Sequence, residues 1–526
     1  MEEVGLLELK RVKGGLGVRG MTLLVAGVLV VSFLAQLPTY RVADWAEFAF
    51  YDAGTVIKGD MLVAKGYVPT VDFGYTHGLL SLLYGRVGFA VFGRGAWGYL
   101  GLMVLGEMGM AWGLARVLVA MRVRRAGVVL FCVGLPLAVM PAYLTLTHVL
   151  EGMCITMALA EQAEGKRSRA LGWMVVCVMV KPSMGYVYGF WLVGVHALAS
   201  LSRRKRNTLK CELRFVLPAV IVGGVLVVGL SMWMGVGTVV ATMLPTTGMK
   251  TYAAAGFGFF GEQGRAFWMP GDAWKYVISP VGAFLLAAVV SAGGAGWAGW
   301  GILRRLATDS HGQTQTMLRR MEMMVTVGVL HTAFLLGFYG WTGSWNYYSY
   351  LAVLGLVMGV DSATPQSGVA TTWRRGIVGA VVVVMLLSQV ETAGAVWNGW
   401  KWKQRMDGLW VERDLQAEWE GVMKRVGEGR TIVMTNGWIA GNVELPDAWF
   451  PELGIPTESE LERVRRQVEK VEFVVRWKAY QKFEDVWNAR ELDAEREQFK
   501  TIWMGRFLEL MKRNGGEGEE EVKSKR

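Results

Sequence analysis

Charged side chains are scarce in this 526-residue chain: they make up 19% of it, against 53% hydrophobic residues that include 23 Trp. That balance excludes a disordered or fibrous protein, which would carry more charge and far fewer large apolar groups. Cysteine is scarcer still. Cys132, Cys154, Cys177 and Cys211 lie inside or at the ends of apolar segments, with neither CxxC spacing nor a histidine cluster beside them. A zinc site and a disulfide framework are therefore not indicated. No repeat of solenoid spacing is present. What the chain does have is long apolar runs, at residues 21–37, 213–234, 277–300, 323–339 and 377–390, on the scale of the ~20 residues that cross a bilayer. The chain reads as a polytopic α-helical membrane protein.

Acidic charge is also in short supply, and the net charge of +11 raises the question of nucleic acid. Division by region answers it. Residues 1–393 carry 32 Lys and Arg against 19 Asp and Glu, whereas residues 394–526 carry 23 against 25. The excess belongs to the apolar part, in short clusters at 10–19, 122–125, 166–169, 203–214, 304–320 and 374–375. Clusters of that kind between apolar segments are topology signals near lipid head groups, so no nucleic-acid partner is expected.

Each consecutive pair of clusters leaves room for two crossings, which puts all the clusters on the cytoplasmic side. About eleven spans result, near 21–38, 99–120, 126–145, 149–163, 170–182, 185–201, 213–234, 276–303, 322–340, 350–361 and 376–393. Residues 78–92 are apolar but contain Arg86, and a span there would invert every later cluster; they read as an interfacial helix. The expected domains are a transmembrane domain over 1–393 with a large first external loop at 38–98, a soluble α/β domain over 394–513, and a disordered tail at 514–526. In the soluble domain the pattern predicts a strand at 431–435, a helix near 458–470, a strand at 471–476 and a long helix over 478–512. The N-terminus is expected in the cytoplasm as an uncleaved first helix, and the C-terminal domain outside.

The first external loop holds Asp44, Glu47, Asp52, Asp60 and Asp72. On a helix, Asp44 and Glu47 would share a face, three residues apart. Two carboxylates at a membrane surface can do general-base work or hold a cation, and they can equally be solvated loop acids. Lys181 at membrane depth either faces a polar cavity, where a phosphate suits it, or snorkels to the outer interface. Glu151 either orients a substrate or cation, or is an acid favoured by a helix N-terminus. His77 either binds phosphate or caps an interfacial helix. The aromatic run at 341–350 reads as an interfacial belt.

The order Asp44-Trp-Ala-Glu47, then Gly59, then Gly66-Tyr67-Val-Pro69-Thr-Val-Asp72-Phe73-Gly-Tyr75-Thr-His77-Gly78-Leu79-Leu80, then Phe92-Gly93, resembles the first periplasmic loop of bacterial GT-C glycosyltransferases. Glu151 followed by Lys181-Pro182-Ser183 is similar to a second arrangement of that superfamily. The likeness is to its protein mannosyltransferase and aminoarabinose transferase members and covers residues 20–200. It implies a GT-C-like fold in a bacterial inner membrane and an inverting transfer from a polyprenyl-phosphate sugar to a glycan, lipid or protein acceptor. It also implies Asp44, Glu47 and Glu151 as catalytic residues, and Lys181, Asp72, His77 and Tyr75 as substrate-binding ones. In the family the two acids are adjacent; here they are split, and Asp44 stands first as the base. No cofactor is required by a monophosphate carrier, and a divalent cation is compatible with it. A transporter or flippase using Lys181 and Glu151 as its polar pathway is the alternative, set against the lack of repeated halves.

Overall fold

The structure, a computed structural model, describes residues 17–36, 51–94, 96–139, 146–202, 208–244, 311–337, 348–362, 413–434, 448–449, 458–477, 487 and 489–514. The expected spans at 276–303 and 376–393 and the acids Asp44 and Glu47 lie outside these residues.

The described residues of the first part are mainly helical: α1 Val18–Gln36, α2 Tyr51–Ala64, α3 Leu79–Phe92, α4 Ala96–Ala120, α5 Arg125–Val139, α6 Leu146–Ala163, α7 Arg167–Val180, α8 Met184–Ser202, α9 Thr208–Met234, α10 Val236–Met243, α11 His311–Gly337 and α12 Ser349–Ser362. Most of these match a span expected from the sequence. Helix α2 does not; the sequence left it within a loop. Its Gly, Lys and Asp residues hide the helical signal. What stabilises it is tertiary: Val56, Ile57 and Leu62 are fully buried, and Asp60 is paired with Arg86 and Arg94 of the following segment at 3.3 and 2.8 Å.

Helix α6 lies at the centre, packed on α4 and α7. Its contact with α4 depends on small residues. A Cβ on Gly106 would meet Val149 at 2.7 Å, and one on Gly113 would meet the backbone of Thr156 at 2.7 Å, so the absence of side chains on α4 lets the two backbones approach closely. The N-terminus of α6 is held by Tyr99 of α4, whose hydroxyl accepts the Leu146 N–H at 2.7 Å.

Two of the described helices, over Gly98–Ala120 and Glu212–Met234, are long and apolar enough to cross a bilayer. Helix α9 packs on α7 along one side and leaves Leu217, Val220, Ile221, Val225, Val228 and Met232 exposed on the rest. An apolar surface of that extent suits lipid rather than water.

The second part has α13 Arg413–Val426, β1 Thr431–Met434, β2 Ala448–Trp449, α14 Glu458–Val468, β3 Phe473–Trp477, the short α15 Asp493–Arg496, β4 Phe499–Met504 and β5 Leu508–Arg513. The strands form one mixed sheet in the order β2-β1-β3-β5-β4. Strand β1 runs parallel to β2 and β3, and β5 runs antiparallel to β3 and β4.

The predicted strands at 431–435 and 471–476 and the helix near 458–470 are present. The long helix expected over 478–512 is not. Residues 499–513 form a β-hairpin, because pairing of Leu508, Leu510 and Met511 with β3 buries them, and this outweighs the helical preference of the surrounding Glu, Arg and Met. The hairpin turn is fixed from α13: the Glu418 carboxylate accepts the N–H groups of Arg506, Phe507 and Leu508 at 2.5, 2.9 and 2.9 Å.

Candidate functional site

The chain between α7 and α8 is the sequence Lys181-Pro182-Ser183. Proline restricts the residue before it to extended backbone, and Lys181 has φ −155° and ψ 115°. Helix α7 therefore ends at Val180, and the Lys181 side chain is turned back onto α6. There its Nζ lies 2.9 Å from both ring nitrogens of His148. An ammonium has only donors, so a His148 ring nitrogen accepts from it.

One turn along α6, the wholly buried Glu151 serves the same connection from below. Its Oε1 accepts from the Ser183 hydroxyl at 2.7 Å and from the Met184 N–H at 3.2 Å. Helix α8 is thus capped at its N-terminus by an acid from another helix, where the dipole favours negative charge. Its Oε2 accepts from the Tyr348 hydroxyl, which brings α12 to the same point. His148 and Tyr348 are in ring contact at 6.3 Å.

A third element arrives from the segment between α2 and α3. Gly78 donates its N–H to the Val180 carbonyl at 2.9 Å, directly before Lys181. Only glycine fits there, because a Cβ would stand 2.0 Å from the Met179 carbonyl oxygen. The residue before it, His77, is consequently pressed against the same helix end. Its ring is buried, and among the described residues neither nitrogen has a hydrogen-bond partner. Burial, then the positive charges of Lys181 and Lys58, lower its pKa from 6.5 to about 3. It is a neutral imidazole at physiological pH, offering one donor and one acceptor.

The structure therefore gathers Lys181, Glu151 and His77 about one helix junction. Tyr75 is beside them: its ring packs edge-on against His77 at 5.9 Å, and its hydroxyl is 2.9 Å from that of Ser81. Asp72 turns away, its Oδ2 accepting the Val68 N–H at 2.7 Å within its own turn. Among the described residues no three His, Cys, Asp or Glu side chains converge as a metal site.

His148 and Lys58 were missed from the sequence. His148 had a legible signal, since it stands three residues before Glu151 and shares its helical face. Tyr348 and Tyr350, read as part of an interfacial belt, are instead buried in the core; the rest of that run, up to residue 347, lies outside the described residues.

No protein-family model matches the chain, and no curated protein does. Among solved structures it is similar to the Archaeoglobus fulgidus oligosaccharyltransferase, crystallised as a complex with Zn and sulfate. The TM-score is 0.42 at 12% identity, over 86% of this chain and 68% of that one. A likeness this distant transfers no residue roles, so the site stands on its own chemistry.

Proposed function

We propose that the chain is a polytopic inner-membrane glycosyltransferase of GT-C type, which moves a sugar with inversion from a polyprenyl-phosphate carrier to a glycan, lipid or protein hydroxyl on the outer face. One observation carries the reading: His77 is buried, neutral and without a hydrogen-bond partner among the described residues, beside two buried lysines. A buried polar group without a partner costs stability unless a ligand completes it. The positive potential from Lys181 and Lys58 selects an anionic ligand, and the imidazole asks for one acceptor and one donor. A phosphate ester of a sugar supplies oxygen acceptors and hydroxyl donors within a few ångströms of each other.

In the proposed step, Asp44 or Glu47 takes the proton of the acceptor hydroxyl, and that oxygen attacks the anomeric carbon. The bond from that carbon to the phosphate oxygen breaks, and its electron pair leaves on the phosphate. Lys181, oriented by His148, stabilises the departing charge. Glu151 holds the junction that sets Lys181 in place, and Tyr75 backs the His77 ring.

The test is direct. Full-length protein in lipid vesicles, given radiolabelled polyprenyl-phosphate sugars and envelope acceptors, is expected to move label to an acceptor. Absence of transfer from every such donor, with labelled lipid instead crossing the bilayer intact, would replace this reading with that of a flippase.

A further inference from the structure

We infer that the C-terminal sheet domain sets the position of His77 through two hydrogen bonds on the turn of residues 68–73, which makes Trp449 and Arg463 positioning residues of the site. The inference rests on the donor reading for its kinetic consequence only.

The turn is closed by its own bonds. Asp72 N–H donates to the Val68 carbonyl at 2.9 Å, Thr70 N–H to the Phe73 carbonyl at 2.7 Å, and Val68 N–H to the Asp72 carboxylate at 2.7 Å. At its tip Thr70 has φ 67°, a left-handed conformation that a β-branched residue keeps only where its surroundings hold it. Those surroundings come from the far end of the chain. Arg463 on α14 donates to the Thr70 carbonyl at 2.7 Å, and Trp449 at the end of β2 donates its indole N–H to the Asp72 carbonyl at 3.1 Å. Neither donor is a loose surface group. Arg463 is also bonded to the buried Glu460 at 3.0 Å, one turn back on α14, and the Trp449 ring is buried.

The path from the turn to the site is short and filled. Phe73, Tyr75 and His77 are all buried, and their rings meet edge-on in sequence at 6.4 and 5.9 Å. The far end is pinned by the Gly78 bond to Val180. A displacement of the turn therefore moves the His77 ring rather than being taken up in slack chain.

The experiment compares full-length wild type with Trp449→Phe, which keeps an aromatic ring but loses the indole N–H and part of the buried ring volume, and with Arg463→Met and Arg463→Lys, which leave that ring intact. Amide exchange read by mass spectrometry is expected to quicken about five- to tenfold over residues 68–77 in Trp449→Phe and Arg463→Met, as the loss of one hydrogen bond predicts. Exchange in β1, β3 and β5 is expected to stay as in wild type, and Arg463→Lys to recover most of the protection. The donor KM is expected to rise by a similar factor with kcat within about twofold, because ground-state placement is what changes. Unchanged exchange in both Trp449→Phe and Arg463→Met would overturn the inference, and so would faster exchange with an unchanged donor KM. If wild type itself transfers no sugar, the proposed function fails, and the exchange result alone upholds or overturns the clamp.

Discussion

Pro182 has a wide influence for one residue, since it stops α7, holds Lys181 extended and frees the Ser183 and Met184 donors that Glu151 accepts. The roles of the two charged neighbours separate by substitution. Lys181→Met removes a charge-assisted contact worth about 1.5–3 kcal/mol, so donor affinity is expected to fall by about 10- to 100-fold while the protein stays folded. Equilibrium binding of a polyprenyl-phosphate sugar would measure it. Glu151→Gln keeps an acceptor for Ser183 and Met184 and is expected to retain much of the activity, whereas Glu151→Ala leaves those donors and Tyr348 without their acceptor and is expected to lower stability and activity together. Equal and complete loss in both variants, with folding intact, would make the Glu151 carboxylate itself a participant in the chemistry.

His77 titrates with a definite sign. Its folded pKa of about 3 lies below the unfolded value of 6.5. The stability linked to it is therefore present above pH 6.5 and is lost as pH falls toward 3, by about 1.4 kcal/mol per pH unit. The melting temperature of wild type is expected to drop through that window more steeply than that of His77→Gln; parallel curves would mean that this imidazole is not buried neutral.

Among the elements, helix pairs were legible where apolar runs had the length of a span, and Leu146–Ala163, Arg167–Val180 and Met184–Ser202 all emerge close to their predicted bounds. The contacts between them were not legible, because periodicity reveals which face is apolar and not which neighbour covers it. Thus the sequence suggested Lys181 and Glu151 as polar residues in need of a purpose, but it could not show that His148 and Tyr348 meet them. Asp44 and Glu47, which carried the resemblance, lie outside the described residues. The hairpin at 499–513 shows the reverse error, a helical composition overruled by a strand partner about 35 residues upstream. At this scale Gly78→Ala is the informative change. Its Cβ would meet backbone, not a movable side chain, so α3 must part from the end of α7. Donor binding is expected to be lost while the helical circular dichroism stays at the wild-type level.

For the whole molecule, the sheet domain and the first loop touch through Trp449 and Arg463, so they lie on one side of whatever the apolar helices cross. We propose from the six basic clusters that this side is the exterior, and a fusion assay tests it. Alkaline phosphatase fused after Gly394 is expected to be active, and fusions within 203–210 inactive. The opposite pattern would move both the sheet domain and the loop into the cytoplasm and remove a lipid-borne donor from their reach.

Those same two bonds join residues 377 and 393 positions apart, and that separation bears on biogenesis. The ribosome releases the 68–73 turn long before Trp449 and Arg463, so the turn lacks both bonds while the intervening residues are being made. Closing so long a loop is slow. A nascent chain therefore holds the residues around His77 well before their arrangement is fixed, and the turn gains its two outside bonds only once the sheet domain has folded against it.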